Sequence, residues 1–134
     1  MRTIDRIIIH CSDTKPGHQV DAKVIDSWHR QKGYRKIGYH YVILEDGTIE
    51  EGRDEAEVGA HCLGHNNGSI GICYCGGRGQ DGKPADTRTQ AQKKSLICLV
   101  EYLCARYKIA DIAGHCEFAN KACPCFDVKK EFKL

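Results

Sequence analysis

Apolar positions in this chain fall into short runs separated by polar stretches rich in glycine, and the spacing within each run predicts its element. Ile4 to His10 holds three successive isoleucines, Ile7-Ile8-Ile9, which predicts a strand buried on both faces. Asp21 stands as an N-cap before Val24, Ile25, Trp28 and His29, a helical stripe that Gly33 ends. Tyr39 to Leu44 and Thr48 to Gly52 flank Asp46-Gly47, a strong hairpin signal. Asp54 to Ser69 shows little periodicity and predicts a long loop, and Ile70 to Tyr74 predicts a fourth strand. Gly76 to Asp86 is polar and rich in glycine, as expected of a surface excursion. Thr89 with Gln92 has capping-box spacing at the start of the longest helix, whose core stripe is Leu96, Leu99, Val100, Leu103 and Tyr107. Ile109 to Ala113 predicts a last short strand, and Asp127 to Phe132 a C-terminal helical turn. Strands and helices mixed without strict alternation predict an α/β fold, with a central mixed sheet flanked by helices. Without an internal repeat or linker, residues 1–134 are expected to form a single domain.

Composition narrows the class. Hydrophobic residues at 41% and charged residues at 28% are ordinary for a globular core. A net charge of +2 is too small to suggest nucleic acid or an anionic membrane as a partner. No run approaches the ~18 apolar residues of a membrane span, and no long exposed apolar stripe calls for a second copy, so a monomer is expected. Nine cysteines cannot all pair within the chain. With no charged n-region followed by an apolar h-region, no signal peptide is expected. Synthesis in a reducing cytoplasm then makes most of the thiols small buried hydrophobes. Cys62, Cys73, Cys75, Cys98 and Cys104 fit such packing.

The candidate chemistry lies at the two ends of the chain. His10 closes the first strand, His115 follows Gly114 at the end of the last, and Cys123 precedes Pro124 in an irregular segment. Each alone reads as a structural residue. Two imidazoles and a thiolate together form the donor set of a zinc site that keeps an open position, and therefore point to hydrolysis rather than to a zinc finger. Cys11 is assigned to packing, because the neighbour of a strand ligand faces the other way. Cys116 and Cys125 remain alternative thiol donors. Lys121, two residues from Cys123, is placed to stabilise negative charge, and the Tyr39 phenol could hydrogen-bond a water or an oxyanion. His61 and Asn66, on the loop Gly59 to Asn67, are candidate substrate-binding groups.

Five segments resemble one family when taken in order. They are Ile9-His10-Cys11-Ser12, Gly38-Tyr39-His40-Tyr41, Asp46-Gly47-Thr48-Ile49-Glu50-Glu51-Gly52-Arg53, Asn66 with Ser69-Ile70-Gly71-Ile72-Cys73, and Lys121-Ala122-Cys123-Pro124-Cys125-Phe126-Asp127. They resemble the type 2 N-acetylmuramoyl-L-alanine amidases, with the T7-type phage lysozymes as the nearer group and the peptidoglycan recognition proteins of animals as the more distant. The resemblance implies the amidase and peptidoglycan-recognition fold, one zinc ion held by His10, His115 and Cys123, and Tyr39 and Lys121 as the catalytic pair. It implies peptidoglycan as substrate and hydrolysis of the lactyl–L-alanine amide. Position 116 departs from the T7-type pattern, holding cysteine where that group has a second histidine. The alternative is a peptidoglycan-binding module without catalysis, and the retained Cys123 argues for the enzyme. Such an enzyme would be made in the cytoplasm and act on the cell wall after release, or be exported with a leader absent from this sequence.

Overall fold

The computed structural model describes residues 2–134. Among them, five strands form one sheet in the order β3-β2-β4-β1-β5. The strands are β1 (Arg6–Cys11), β2 (Tyr41–Ile43), β3 (Ile49–Glu51), β4 (Ser69–Tyr74) and β5 (Asp111–Gly114). β1 runs parallel to both β4 and β5, and β2 runs parallel to β4, while β3 returns antiparallel to β2 through the Asp46-Gly47 turn. The helices are α1 (Ala22–Gln31), α2 (Gln90–Arg106) and the short α3 (Val128–Glu131). This is the expected mixed sheet flanked by helices.

Alternation along the strands divides the core into two layers. Ile7 and Ile9 of β1, Ile70, Ile72 and Tyr74 of β4, and Tyr41 and Ile43 of β2 pack with Leu96, Leu99, Val100 and Leu103 of α2. Val42 and Cys73 point the other way and join Ile25 of α1, Val20 and Ile37. His10 belongs to this second face, between Ile9 and Cys11, and it is fully buried. Each isoleucine removed from water contributes roughly 1.5–3 kcal/mol, which explains why a triple-isoleucine strand lies near the middle of the sheet.

Both long helices start as their sequences predict. The Asp21 side chain accepts the Val24 N–H at 2.9 Å. Thr89 and Gln92 satisfy each other's backbone N–H groups at 3.0 Å. Gln92 is fully buried and its amide also donates to the carbonyls of Ile43 and Cys75, tying α2 to the ends of β2 and β4. Some boundaries differ from expectation. β2 begins at Tyr41, so Tyr39 precedes the strand, and β5 starts two residues later and ends one residue later than the apolar pattern suggested. Cys98 is exposed rather than packed, because the turn of α2 carries it away from the Leu96–Leu99–Leu103 stripe.

Candidate active site

The carboxyl ends of β1 and β5 lie side by side, so the residues that end them meet. His10 Nδ1 and His115 Nδ1 are 3.1 Å apart. Cys123 completes a cluster whose ligand atoms all lie within 4.8 Å of one another. Two imidazole nitrogens bound to one tetrahedral zinc at ~2.0–2.1 Å would be about 3.3 Å apart, so the observed spacing fits a shared ion. Among the described residues the cluster offers two nitrogens and one sulfur, a donor set that could hold a zinc ion with one position left open. Burial, reinforced by the neighbouring His61, His115 and Lys121, pushes the pKa of His10 well below its usual value. Burial and Lys121 lower that of His115. Both rings are therefore neutral near pH 7, the form that offers a lone pair to a metal.

Local structure brings Cys123 to the histidines. Cys116 N–H donates to the Cys123 carbonyl at 2.8 Å, and the Tyr74 hydroxyl donates to the Pro124 carbonyl at 2.7 Å. Gly114 lets this segment approach β5, since a Cβ there would lie 2.9 Å from Pro124 Cδ and 3.1 Å from Val128 Cγ2. The Cys123 sulfur accepts the Cys11 backbone N–H at 3.2 Å.

Tyr39, His115, Lys121 and Cys123 share the wall of a cavity of about 570 Å³ with Trp28 and Arg78. A second cavity of about 560 Å³ opens beyond His115 and Lys121, walled by Tyr34, Leu63, Asn66 and Phe118 among others. The two share His115 and Lys121, giving an elongated cleft beside the His10–His115–Cys123 cluster. The Tyr39 ring lies 5.0 Å from that of His10 and 5.3 Å from that of His29. His29 is fixed in turn by the Gly38 N–H, which donates to its Nδ1 at 2.8 Å. Burial raises the Tyr39 pKa well above its usual value, so the phenol keeps its proton.

Residues 1–126 match the family described as N-acetylmuramoyl-L-alanine amidase. The chain belongs to the N-acetylmuramoyl-L-alanine amidase family. The endolysin of Escherichia phage T7 is 46% identical over 126 residues, covering 94% of this chain and 83% of the relative. A peptidoglycan-recognition protein of Drosophila melanogaster is 32% identical over 135 residues, covering 95% of this chain and 71% of the relative. Among solved structures, the N-acetylmuramoyl-L-alanine amidase LysC from Clostridium intestinale superposes with a TM-score of 0.83 at 32% identity, covering 97% of this chain and 82% of that one. The chain is therefore an enzyme of the amidase class with the fold that the strand and helix pattern predicted.

Five of the amidase's seven expected site residues converge on the cleft: His10, His115, Cys123, Tyr39 and Lys121. The two loop residues expected to bind substrate have their polar atoms engaged within the protein. His61 borders the second cavity, but its ring is buried and its Nδ1 lies 2.8 Å from His10 Nε2. Asn66 Oδ1 accepts the backbone N–H groups of His61 and Cys62, both at 2.8 Å. Neither alternative thiol joins the His10–His115–Cys123 cluster. Cys116 is exposed, and the Cys125 thiol donates to the Gly77 carbonyl. The Cys11 N–H was not foreseen as part of the site, because a side-chain pattern does not reveal a backbone donor.

Proposed function

We propose that this amidase is zinc-dependent and cleaves the amide between the lactyl group of N-acetylmuramic acid and the L-alanine of the peptidoglycan stem. The observation that carries this reading is the convergence of His10, His115 and Cys123 at the edge of a cleft lined by His115, Cys123, Tyr39 and Lys121. His10, His115 and Cys123 would hold the ion. When bound, zinc supplies Lewis-acid chemistry, polarising a carbonyl and making water acidic enough to react near neutral pH.

The chain's own groups do the rest. The Lys121 ammonium at the junction of the two cavities stabilises negative charge that develops on the lactyl carbonyl oxygen. Tyr39 remains protonated and hydrogen-bonds the attacking water, while His29 and His10 hold its ring in place. The Cys11 N–H donates to the Cys123 sulfur and so helps to fix its position. Two cavities meeting at the reacting edge suit a substrate with two arms, a glycan and a peptide. Among the described residues no helix is long and apolar enough to cross a membrane. An endolysin-like action on the cell wall after release follows the naming of the phage relatives.

The test pairs metal analysis with digestion of purified cell walls, for the native protein and for Cys123→Ser. About one zinc per chain, with release of stem peptides bearing a free L-alanine amine that the substitution abolishes, is the expected result. Native protein that carries zinc and binds walls without cutting them would assign the binding-module reading instead. Native protein that binds no zinc under reducing conditions would remove the metal from the mechanism.

A further inference from the structure

A buried chain of hydrogen bonds runs from the metal cluster into the interior, and its direction can be deduced. It starts at His10 Nε2, which lies 2.8 Å from His61 Nδ1. His61 Nε2 lies 3.3 Å from Ser69 Oγ. Ser69 Oγ lies 2.8 Å from the His65 carbonyl and 3.1 Å from the Asn66 carbonyl. Carbonyl oxygens only accept, so the single hydroxyl proton of Ser69 is directed at them. Turning that proton towards His61 would set oxygen lone pairs against each other at 2.8 Å. Ser69 is then the acceptor from His61, so His61 carries its proton on Nε2 and presents a bare Nδ1. His10 must in turn donate from Nε2, which leaves its Nδ1 bare and facing His115 Nδ1.

We propose that His61 is a positioning residue of the metal centre: by accepting the His10 Nε2 proton it holds His10 in the tautomer and ring orientation whose Nδ1 lone pair is offered to the ion. This inference rests on the zinc reading above. The site is shaped for the His61 ring. A Cβ on Gly71 of β4 would lie 2.6 Å from His61 Cγ and Cδ2, and a Cβ on Gly59 would lie 2.6 Å from the same Cδ2. Two glycines thus clear the space that the imidazole fills. Asn66 fixes the His61 backbone by accepting its N–H. The polar, glycine-rich loop that read as a substrate-facing segment acts here as the clamp behind a ligand. Partners of this kind orient metal-bound histidines, and their loss costs about 10–100-fold in metal affinity.

The experiment measures zinc affinity by competition with a chromogenic chelator, for the native protein and for His61→Ala, His61→Asn and His61→Gln. An Asn side chain can place an oxygen where Nδ1 stands, whereas Gln reaches towards the Ser69 end. His61→Ala is expected to bind zinc about 10–100-fold more weakly, His61→Asn to recover most of the loss, and His61→Gln to recover little. Nitrogen-detected NMR of the zinc-loaded native protein should show the His10 proton on Nε2. Native affinity in His61→Ala, equal affinities in the Asn and Gln variants, or a His10 proton on Nδ1 would each overturn the proposal. If His61→Ala does not fold, the Asn–Gln comparison and the tautomer decide. Failure of the native protein to bind zinc would overturn the metal reading itself, an outcome distinct from tight binding that is indifferent to position 61.

Discussion

Acidification should destabilise this amidase through His40, and the structure sets both the sign and the size of the effect. His40 is fully buried. Its Nδ1 accepts the Gly71 N–H at 3.1 Å, and its Nε2 donates to the Glu57 carbonyl at 2.8 Å. A second proton would have to sit on Nδ1, facing an N–H donor, on a fully buried ring with Arg2 Nη2 3.1 Å from Nε2. Burial is the main cause that lowers the His40 pKa from 6.5 to about 4, and the charges of Arg2 and Arg53 act in the same direction. Between those two values the unfolded chain binds a proton that the folded chain refuses, so stability falls as pH drops below 6.5 and levels off below about 4. At 1.36 kcal/mol per pKa unit the full effect is roughly 3 kcal/mol, of which about 2 kcal/mol is lost between pH 7 and pH 5. Urea unfolding at intervals across that range measures it, with chelator present so that metal binding does not contribute. His40→Asn keeps an acceptor for Gly71 but cannot titrate. The native protein should lose about 2 kcal/mol more than this variant between pH 7 and pH 5. Equal losses in the two proteins would refute the reasoning.

Lys121→Ala should lower kcat/KM on cell-wall substrate by about 10²–10³, the cost of removing one oxyanion stabiliser, while zinc content and the urea midpoint stay unchanged. Loss of metal along with activity would show that Lys121 supports the cluster rather than the reacting carbonyl. Gly71→Ala should cost about 1–3 kcal/mol of stability by overpacking, since the added methyl would lie 2.6 Å from the His61 ring. An unchanged urea midpoint would mean that this ring is not held as tightly as the geometry indicates.

The local elements could be read from the chain because each has a local cause. Three successive isoleucines, the Asp21 and Thr89 caps and the Asp46-Gly47 turn specify strand, helix and hairpin through contacts a few residues long. The His10, His115 and Cys123 triplet could be singled out for a different reason. Soft and nitrogen donors beside a lysine form an unusual set, and their order along the chain matched a family. Cys98 was misplaced because a thiol carries no sign of which side of a helix it occupies once the stripe is set by its larger neighbours.

His61 marks the boundary between what the sequence and the tertiary structure decide. Sequence alone determined the mixed sheet, the helices and the identity of the groups able to hold a metal, because hydrophobic period, capping and donor chemistry are properties of the residues themselves. It could not show that a histidine on a polar loop turns inward. That depends on Gly71 of β4 and Gly59 of the loop clearing one space from two directions, and on His10 standing 51 positions away with its Nε2 aimed into it. Nor could it show that the backbone N–H of Cys11 lies on the sulfur of Cys123, 112 positions away. Proton direction, tautomer and backbone donation are settled by which groups the folded sheet brings within hydrogen-bonding distance, and only the assembled tertiary structure brings them there.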